Sequence, residues 1–275
     1  MREDLQVLGP PPPHSEAMRA LRAWIKRQSG ITFSVDQDVQ FADRVSGLCR
    51  ELKLTPDQLL AKVTQGDHAA AQRLVEVAST NYTFFFREPE SFAYLIAHVL
   101  PGLPPGPVRV WSAAASSGDE AYSLAMAVCE TMGDAGRLRT RILGTDISGR
   151  AVQSAEEGVY PRDQLAQLGA TRTFRWFTPA GRNQLRIADH LKQMCTFRRF
   201  NLTQTSWPFE HRFHVIFLRN VLYYFEPRTR SHILEACYDA AEPGATLITS
   251  VTEPMVDVRT SWTALRPAVF RKKER

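Results

Sequence analysis

Apolar positions recur through residues 15–80 with a helical period and never with a strict alternation. Met18, Leu21 and Ile25 fall at i, i+3 and i+7, with Trp24 beside them, so a helix starting near Ser15 carries one apolar face and stops at Gly30. A second helix is predicted over 36–53, a third opens at Thr55 with Asp57 two residues on, and a fourth covers 67–80. An all-helical domain is therefore expected over 15–88, preceded by a loose arm, 1–14, in which Pro10 to Pro13 have no N–H to donate. Residues 89–107 read as a linker: a helix starting at Pro89, then a stiff stretch from Pro101 to Pro107.

From Val108 the pattern becomes alternating strand and helix. Strands are expected at Val108–Ser112, Arg141–Ile147, Val215–Leu218 and Ala245–Val251, with a last one in LRPAVFRKK. Helices are expected at Glu120–Glu130, Ser148–Glu157 and Thr229–Ala241, the last closed by Pro243-Gly244. This order implies an α/β domain over 108–275, with a parallel sheet covered on both faces. The order is interrupted over 159–200, where TRTFRWF, QLRIAD and CTFRRF read as a helical turn followed by a small inserted antiparallel sheet.

Composition narrows the class. With 44% hydrophobic and 23% charged residues the chain is that of a globular protein. It has no apolar run long enough to span a bilayer and no signal-peptide layout. Cys49, Cys129, Cys195 and Cys237 are widely spaced, as expected of reduced thiols in a cytoplasmic protein. A net charge of +5 falls short of the signature of a nucleic-acid binder. Metal-ligand spacing, a phosphate-binding G-x-x-x-x-G-K and a G-x-S-x-G elbow are all absent from the sequence.

Candidate chemistry clusters around VRVWSAAASSGDEAYS, Val108 to Ser123. A strand, a small-residue loop and a helix with an acidic first turn make a place where a ligand can lie against backbone. Glu120 serves there as a first-turn acid or as a ligand contact. Asp146, ending the next strand, accepts from ribose hydroxyls or caps the following helix. Arg87 follows three phenylalanines, and a cation beside such a wall is paired or reserved for an anion. Arg219-Asn220 ends the strand VIFL at the mouth of the sheet. Of Tyr223 and Tyr224 just beyond it, one is expected to pack and the other to point its hydroxyl into the cleft.

Four stretches, NYTFFFREPESF, VWSAAASSGDEAYSLAM, GTDISGRAVQSAEEGVYP and FLRNVLYYFEP, in this order and spacing, resemble the CheR-type chemotaxis receptor methyltransferases over about residues 17–272. The resemblance implies a helical receptor-docking domain and a Rossmann-like class I methyltransferase domain with an inserted β-subdomain. It implies a bacterial, cytoplasmic, monomeric enzyme moving a methyl group from S-adenosylmethionine, with S-adenosylhomocysteine as product, to receptor glutamates. Its cofactor contacts fall on Asn81, Thr83, Arg87, Glu120, Asp146, Asn201, Leu202, Arg219 and Asn220, and its active-site pair on Arg87 and Tyr224. The implied partners are the cytoplasmic helical domains of methyl-accepting chemoreceptors, with no nucleic acid, metal or membrane insertion. Alternatives are a non-catalytic sensor or scaffold that binds the same cofactor, and a methyltransferase of another substrate class. The residues after VIFL, Arg219-Asn220-Val221-Leu222, lack the N/D-P-P-Y-like motif of amino-methylating nucleic-acid enzymes.

Three departures from the family pattern bear on partners. The second helix, DQDVQFADRVSGLCREL, is poor in basic residues, leaving Arg19, Arg22, Lys26, Arg44 and Arg50 for an acidic receptor. Ala121 stands where a proline is usual, with little effect expected. FTPAGRNQLR lacks the Gly-x-Gly loop of members that grip a receptor C-terminal pentapeptide. Titrating the protein with such a pentapeptide is therefore expected to show no binding; measurable affinity would contradict this reading.

Overall fold

The computed structural model describes residues 15–34, 37–79, 82–253, 255 and 258–274, so the expected arm at 1–14 lies outside the described residues. The chain divides into two compact units, 1–80 and 81–275.

The first unit has four helices: α1 (Glu16–Ser29), α2 (Asp38–Leu52), α3 (Pro56–Thr64) and α4 (His68–Ala78). Their ends follow local chemistry. Ser15 caps α1 by accepting from Met18 N, and Gly30 closes it at φ 72°. Thr55 and Gln58 form a capping box on α3, and Asp67 caps α4. Met18, Leu21, Ile25, Val45, Leu59 and Leu74 are fully buried and make the unit's core. Arg22, counted above among the basic docking residues, is half-buried. It pairs with Asp38 at 2.5 Å and lies 5.3 Å from the Phe41 ring centre. Its charge is therefore committed inside the unit, while Arg19, Lys26 and Arg50 are exposed.

The second unit begins earlier than expected. Phe85 and Phe92, with Leu95, Val99 and Leu100, are buried in the core that also holds Val108, Val110 and the apolar face of the long helix Asp119–Arg139. The stretch read as a linker thus packs as part of this unit, through α5 (Pro89–Tyr94) and the turns at Leu95–Val99 and Leu100–Gly102.

The main sheet is built from β1 (Val108–Ala113), β2 (Thr140–Asp146), β6 (Cys195–Arg199), β7 (Phe213–Leu218), β8 (Ala241–Ile248), β9 (Thr263–Arg266) and β10 (Val269–Arg271). The order is β6-β2-β1-β7-β8-β10-β9, with the first five strands parallel and β10 and β9 antiparallel. The helices between the strands are α6 (Asp119–Arg139), α7 (Gly149–Glu157) and α10 (Pro227–Asp239). A separate antiparallel sheet, order β3-β5-β4, holds β3 (Val159–Pro161), β4 (Phe177–Pro179) and β5 (Gln184–Ile187) with the short helices α8 (Gly169–Trp176) and α9 (Asp189–Lys192).

Two expectations are corrected. CTFRRF does not join the inserted sheet: Cys195–Arg199 runs parallel to β2 at the edge of the main sheet. The C-terminal segment is a hairpin, β9 and β10, rather than one strand. The reason is register. Phe197 packs over Gly144 of β2, where a Cβ would stand 2.5 Å from its ring, so the missing side chain on one strand admits the large one on the next. No helix among the described residues is long and apolar enough to cross a membrane.

The chain moves outward from β1 through β2 to β6 on one side and then crosses back to β7 on the other side of β1, which places the switch point at the carboxyl end of β1. Close packing fixes the loop there. Gly118, at φ 91° before α6, would bring a Cβ within 2.9 Å of Ala155 and 3.2 Å of Phe197. Gly118→Ala combines left-handed strain with overpacking and should lower stability by about 2–4 kcal/mol in chemical denaturation. An unchanged denaturation midpoint would show that the loop is not packed this way.

Candidate active site

Three chain segments converge at this switch point. The first is Tyr82–Glu88, whose three phenylalanines point different ways. Phe85 is fully buried, 4.9 Å from Tyr160 and 5.4 Å from Phe177. Phe86 lies against Phe92 and under Arg172, whose guanidinium, 4.1 Å away, is held bidentately by Glu130. Phe84 stays half-buried, with Arg87 5.8 Å from its ring centre. The backbone alternates hand to do this: Phe86 and Glu88 both take left-handed conformations, φ 54° and 55°. Such strain is retained where the surroundings over-determine it, as when Phe86 N donates to Ser123 Oγ at 2.9 Å.

The second segment is the β1–α6 loop. Ala114 and Ser116 are left-handed, φ 71° and 50°, and the loop is pinned by Ala115 N to Thr145 O and by Ser116 N to Asp146 Oδ2, 2.8 and 2.9 Å. Asp146 also accepts from Ser148 N at 2.9 Å. It is not the cap of α7; Ser148 is, through Ala151 N. Burial lifts the Asp146 carboxyl above its ordinary range, outweighing these backbone bonds. The main chain returns past it, because Phe200 N donates to Asp146 O at 2.8 Å, and this sets Asn201 and the buried Leu202 beyond β6. Asn201 Oδ1 accepts from Thr203 N and Oγ1.

The third segment follows β7. Arg219 is 4% exposed and ties the others together. It donates to Glu120 Oε2 at 2.9 Å and to the Arg87 carbonyl at 2.5 Å, and it pairs with Glu88 at 3.3 Å. Glu120 also accepts from Ser112 Oγ at 2.7 Å. Glu88 accepts from Asn220 Nδ2 at 3.0 Å and Ser250 Oγ at 2.8 Å. The two carboxylates titrate in opposite directions. Burial lifts Glu120 despite Arg219 and Ser112. Burial also opposes ionisation of Glu88, but its bonds from Asn220 and Ser250 and the charge of Arg219 leave it below the usual range.

Arg87 and the tyrosines complete the mouth. Arg87 donates to Tyr82 O at 2.9 Å, and among the described residues it has no carboxylate partner, unlike Arg219. Neither tyrosine is simply packed: Tyr223 is 38% exposed, Tyr224 half-buried, with ring centres 4.4 Å and hydroxyls 3.5 Å apart. Burial raises the Tyr223 hydroxyl, so it stays protonated at neutral pH.

The structure thus joins Arg87, Glu120, Arg219 and Asn220 directly or through Glu88, and groups Asp146, Asn201 and Leu202 at the end of β2. Thr83 is half-buried between Tyr82 and Phe84, and Asn81 lies outside the described residues. Ser112, Glu88, Ser250 and Glu253 are not among the site residues that the sequence pattern marks. Only Glu88 had a local cue, as the acid beside Arg87. The others are joined by strands distant in sequence.

A family profile described as CheR methyltransferase, SAM binding domain, matches residues 81–268. The chain belongs to the CheR methyltransferase family. A chemotaxis protein methyltransferase of Vibrio anguillarum is 31% identical over 263 residues, 92% of this chain and 95% of that one. Chemotaxis protein methyltransferase 2 of Pseudomonas aeruginosa is 31% identical over 224 residues, 80% of each chain. A chemotaxis protein methyltransferase of Borreliella burgdorferi is 34% identical over 168 residues, covering 58% of this chain and 59% of that protein. The matched span begins where the second compact unit begins. As a CheR-family domain it uses S-adenosylmethionine.

Removing Arg219 leaves Glu120 and Glu88 facing each other without the cation between them. Arg219→Met should cost about 3–5 kcal/mol of stability in denaturant titrations and weaken S-adenosylhomocysteine binding in calorimetry. Wild-type values for both would remove Arg219 from its central place.

Proposed function

We propose that the protein methylates glutamate side-chain carboxylates of chemoreceptor cytoplasmic domains. The observation that carries this reading is the guanidinium of Arg87, held at the mouth of the site by a carbonyl and two aromatic rings, with no carboxylate partner among the described residues. The named relatives support the chemotaxis setting.

The residues present fit the cofactor. A carboxylate has about four lone-pair sites. Asp146 and Glu120 therefore keep acceptor capacity for hydroxyl or ammonium groups after their own bonds. Arg219 Nε is buried with no hydrogen-bond partner among the described residues, leaving one cationic donor for a carboxylate. Asp146, Asn201 and Leu202 would hold the nucleoside end, and Arg219, Asn220 and Glu120 the amino-acid end. Thr83 and Asn81 are proposed to border the same site.

S-adenosylmethionine supplies an activated methyl on a sulfonium. A glutamate acceptor is already ionised at neutral pH, so its oxygen forms the new bond to carbon while the methyl–sulfur bond breaks, with no proton to remove. The chain's work is then positional. Arg87 holds the acceptor by charge-assisted bonds, and Tyr224 adds one from its hydroxyl. Phe84, beside Arg87, limits water on that side of the guanidinium.

With a receptor cytoplasmic fragment as acceptor, mass spectrometry should find the methyl increment on glutamates. Arg87→Ala should lower turnover by about 100-fold or more with unchanged folding, and Tyr224→Phe by about 10- to 100-fold, as for loss of a bond to a charged group. Near-normal turnover in folded Arg87→Ala would refute its role.

A further inference from the structure

The tyrosine-bearing turn, Leu222–Tyr224, is a single turn of helix, too short to hold itself. It starts from Asn220, left-handed at φ 56°, and its first N–H groups have no partner within the turn. They are taken by one side chain from the loop after β8. Glu253, beyond β8 and 6% exposed, accepts from Val221 N at 2.6 Å and Leu222 N at 2.7 Å on one oxygen, and from Ser250 N at 2.8 Å on the other. Leu222 itself is fully buried, so its N–H would otherwise be orphaned out of water. The same loop reaches the arginine side: Ser250 Oγ donates to Glu88, the neighbour of Arg87.

We infer that Glu253 is a positioning residue for methyl transfer, its ionised carboxylate fixing the turn that carries Tyr224. The inference rests on the proposed role of that tyrosine with the acceptor.

The groups around Glu253 define how it titrates. Glu88 faces it from the segment before α5 and repels its charge. Arg219, at the end of β7, is engaged by Glu88 and Glu120. Tyr223 stands on the turn itself, within electrostatic reach of both Glu253 and Arg87. Arg230 of α10 donates to Leu222 O at 3.0 Å. Burial is the largest influence and, with Glu88, pushes the Glu253 carboxyl up to about 7 against its backbone bonds. The carboxylate is therefore ionised above neutrality and takes up a proton below it, weakening its charge-assisted bonds to Val221 and Leu222. The sign for folding is opposite. A carboxyl raised above its unfolded value stabilises the fold below that value and loses this contribution as pH rises through 7. On acidification through neutrality, then, Glu253 loosens the turn without lowering global stability.

The test has two readouts on the full chain. In wild-type protein, the amide proton resonances of Val221 and Leu222 should titrate together with a midpoint near pH 7, and Glu253→Gln should abolish that titration. With receptor fragment as acceptor, Glu253→Gln should lower kcat roughly 10-fold or more while changing the dissociation constant of S-adenosylhomocysteine less than about 3-fold, and Glu253→Asp should recover part of the loss. Amides that do not titrate, or wild-type kcat in Glu253→Gln, would overturn the inference. Titrating amides in a protein that esterifies no glutamate would instead support the anchor while refuting the proposed reaction, because the first readout does not depend on turnover.

Discussion

The site depends on one buried cation. Arg219 has water on almost none of its surface, and its charge is balanced by Glu120 from the start of α6 and Glu88 from the start of α5. A buried arginine without such partners is too costly to keep, and each carboxylate would suffer likewise without the arginine. The three must therefore fold together, which forces the segment carrying Arg87 against the carboxyl ends of β1 and β7. Two pieces of chain 132 residues apart are held by this pairing and by the Asn220–Glu88 bond. Asymmetry between the two acids follows from depth: Glu120 is lifted by burial, whereas Glu88 has enough hydrogen bonds to remain readily ionised.

Around this cation the backbone is held in conformations that side chains ordinarily avoid. Phe86, Glu88, Ala114, Ser116 and Asn220 are all left-handed, and each lies on a segment that forms the site. Every such residue costs about 1–3 kcal/mol unless its surroundings compensate. Compensation is visible as the bonds from Phe86 N to Ser123, from Ser116 N to Asp146, and from Asn220 to Glu88. The site is consequently stiff before any ligand arrives, as suits a reaction governed by alignment.

The helices of the first unit were legible because their signals are local: an apolar face of period 3.6 and caps such as Ser15 and Thr55. The parallel sheet was legible because its interior strands, VIFL above all, are apolar throughout. Legibility failed where an element's fate depends on a distant neighbour. Nothing within CTFRRF states that Phe197 will cover Gly144 of β2, so by pattern alone the edge strand reads as part of the inserted sheet. Arg22 resembles any surface arginine until Asp38 is seen beside it. Among site residues, Arg87, Glu120, Asp146 and Arg219-Asn220 stood out because motif position marked them. Ser112, Ser250 and Glu253 did not, since each matters only through a partner many residues away.

The central claim is that this arrangement serves transfer to a carboxylate oxygen. The most direct measurement is the chemistry of the bond made: label the methyl group of S-adenosylmethionine, incubate with receptor cytoplasmic fragments, and treat the product with base. Base should release the label as methanol, the behaviour of a carboxyl methyl ester. Label that survives base would place the methyl on nitrogen or another atom and contradict the claim.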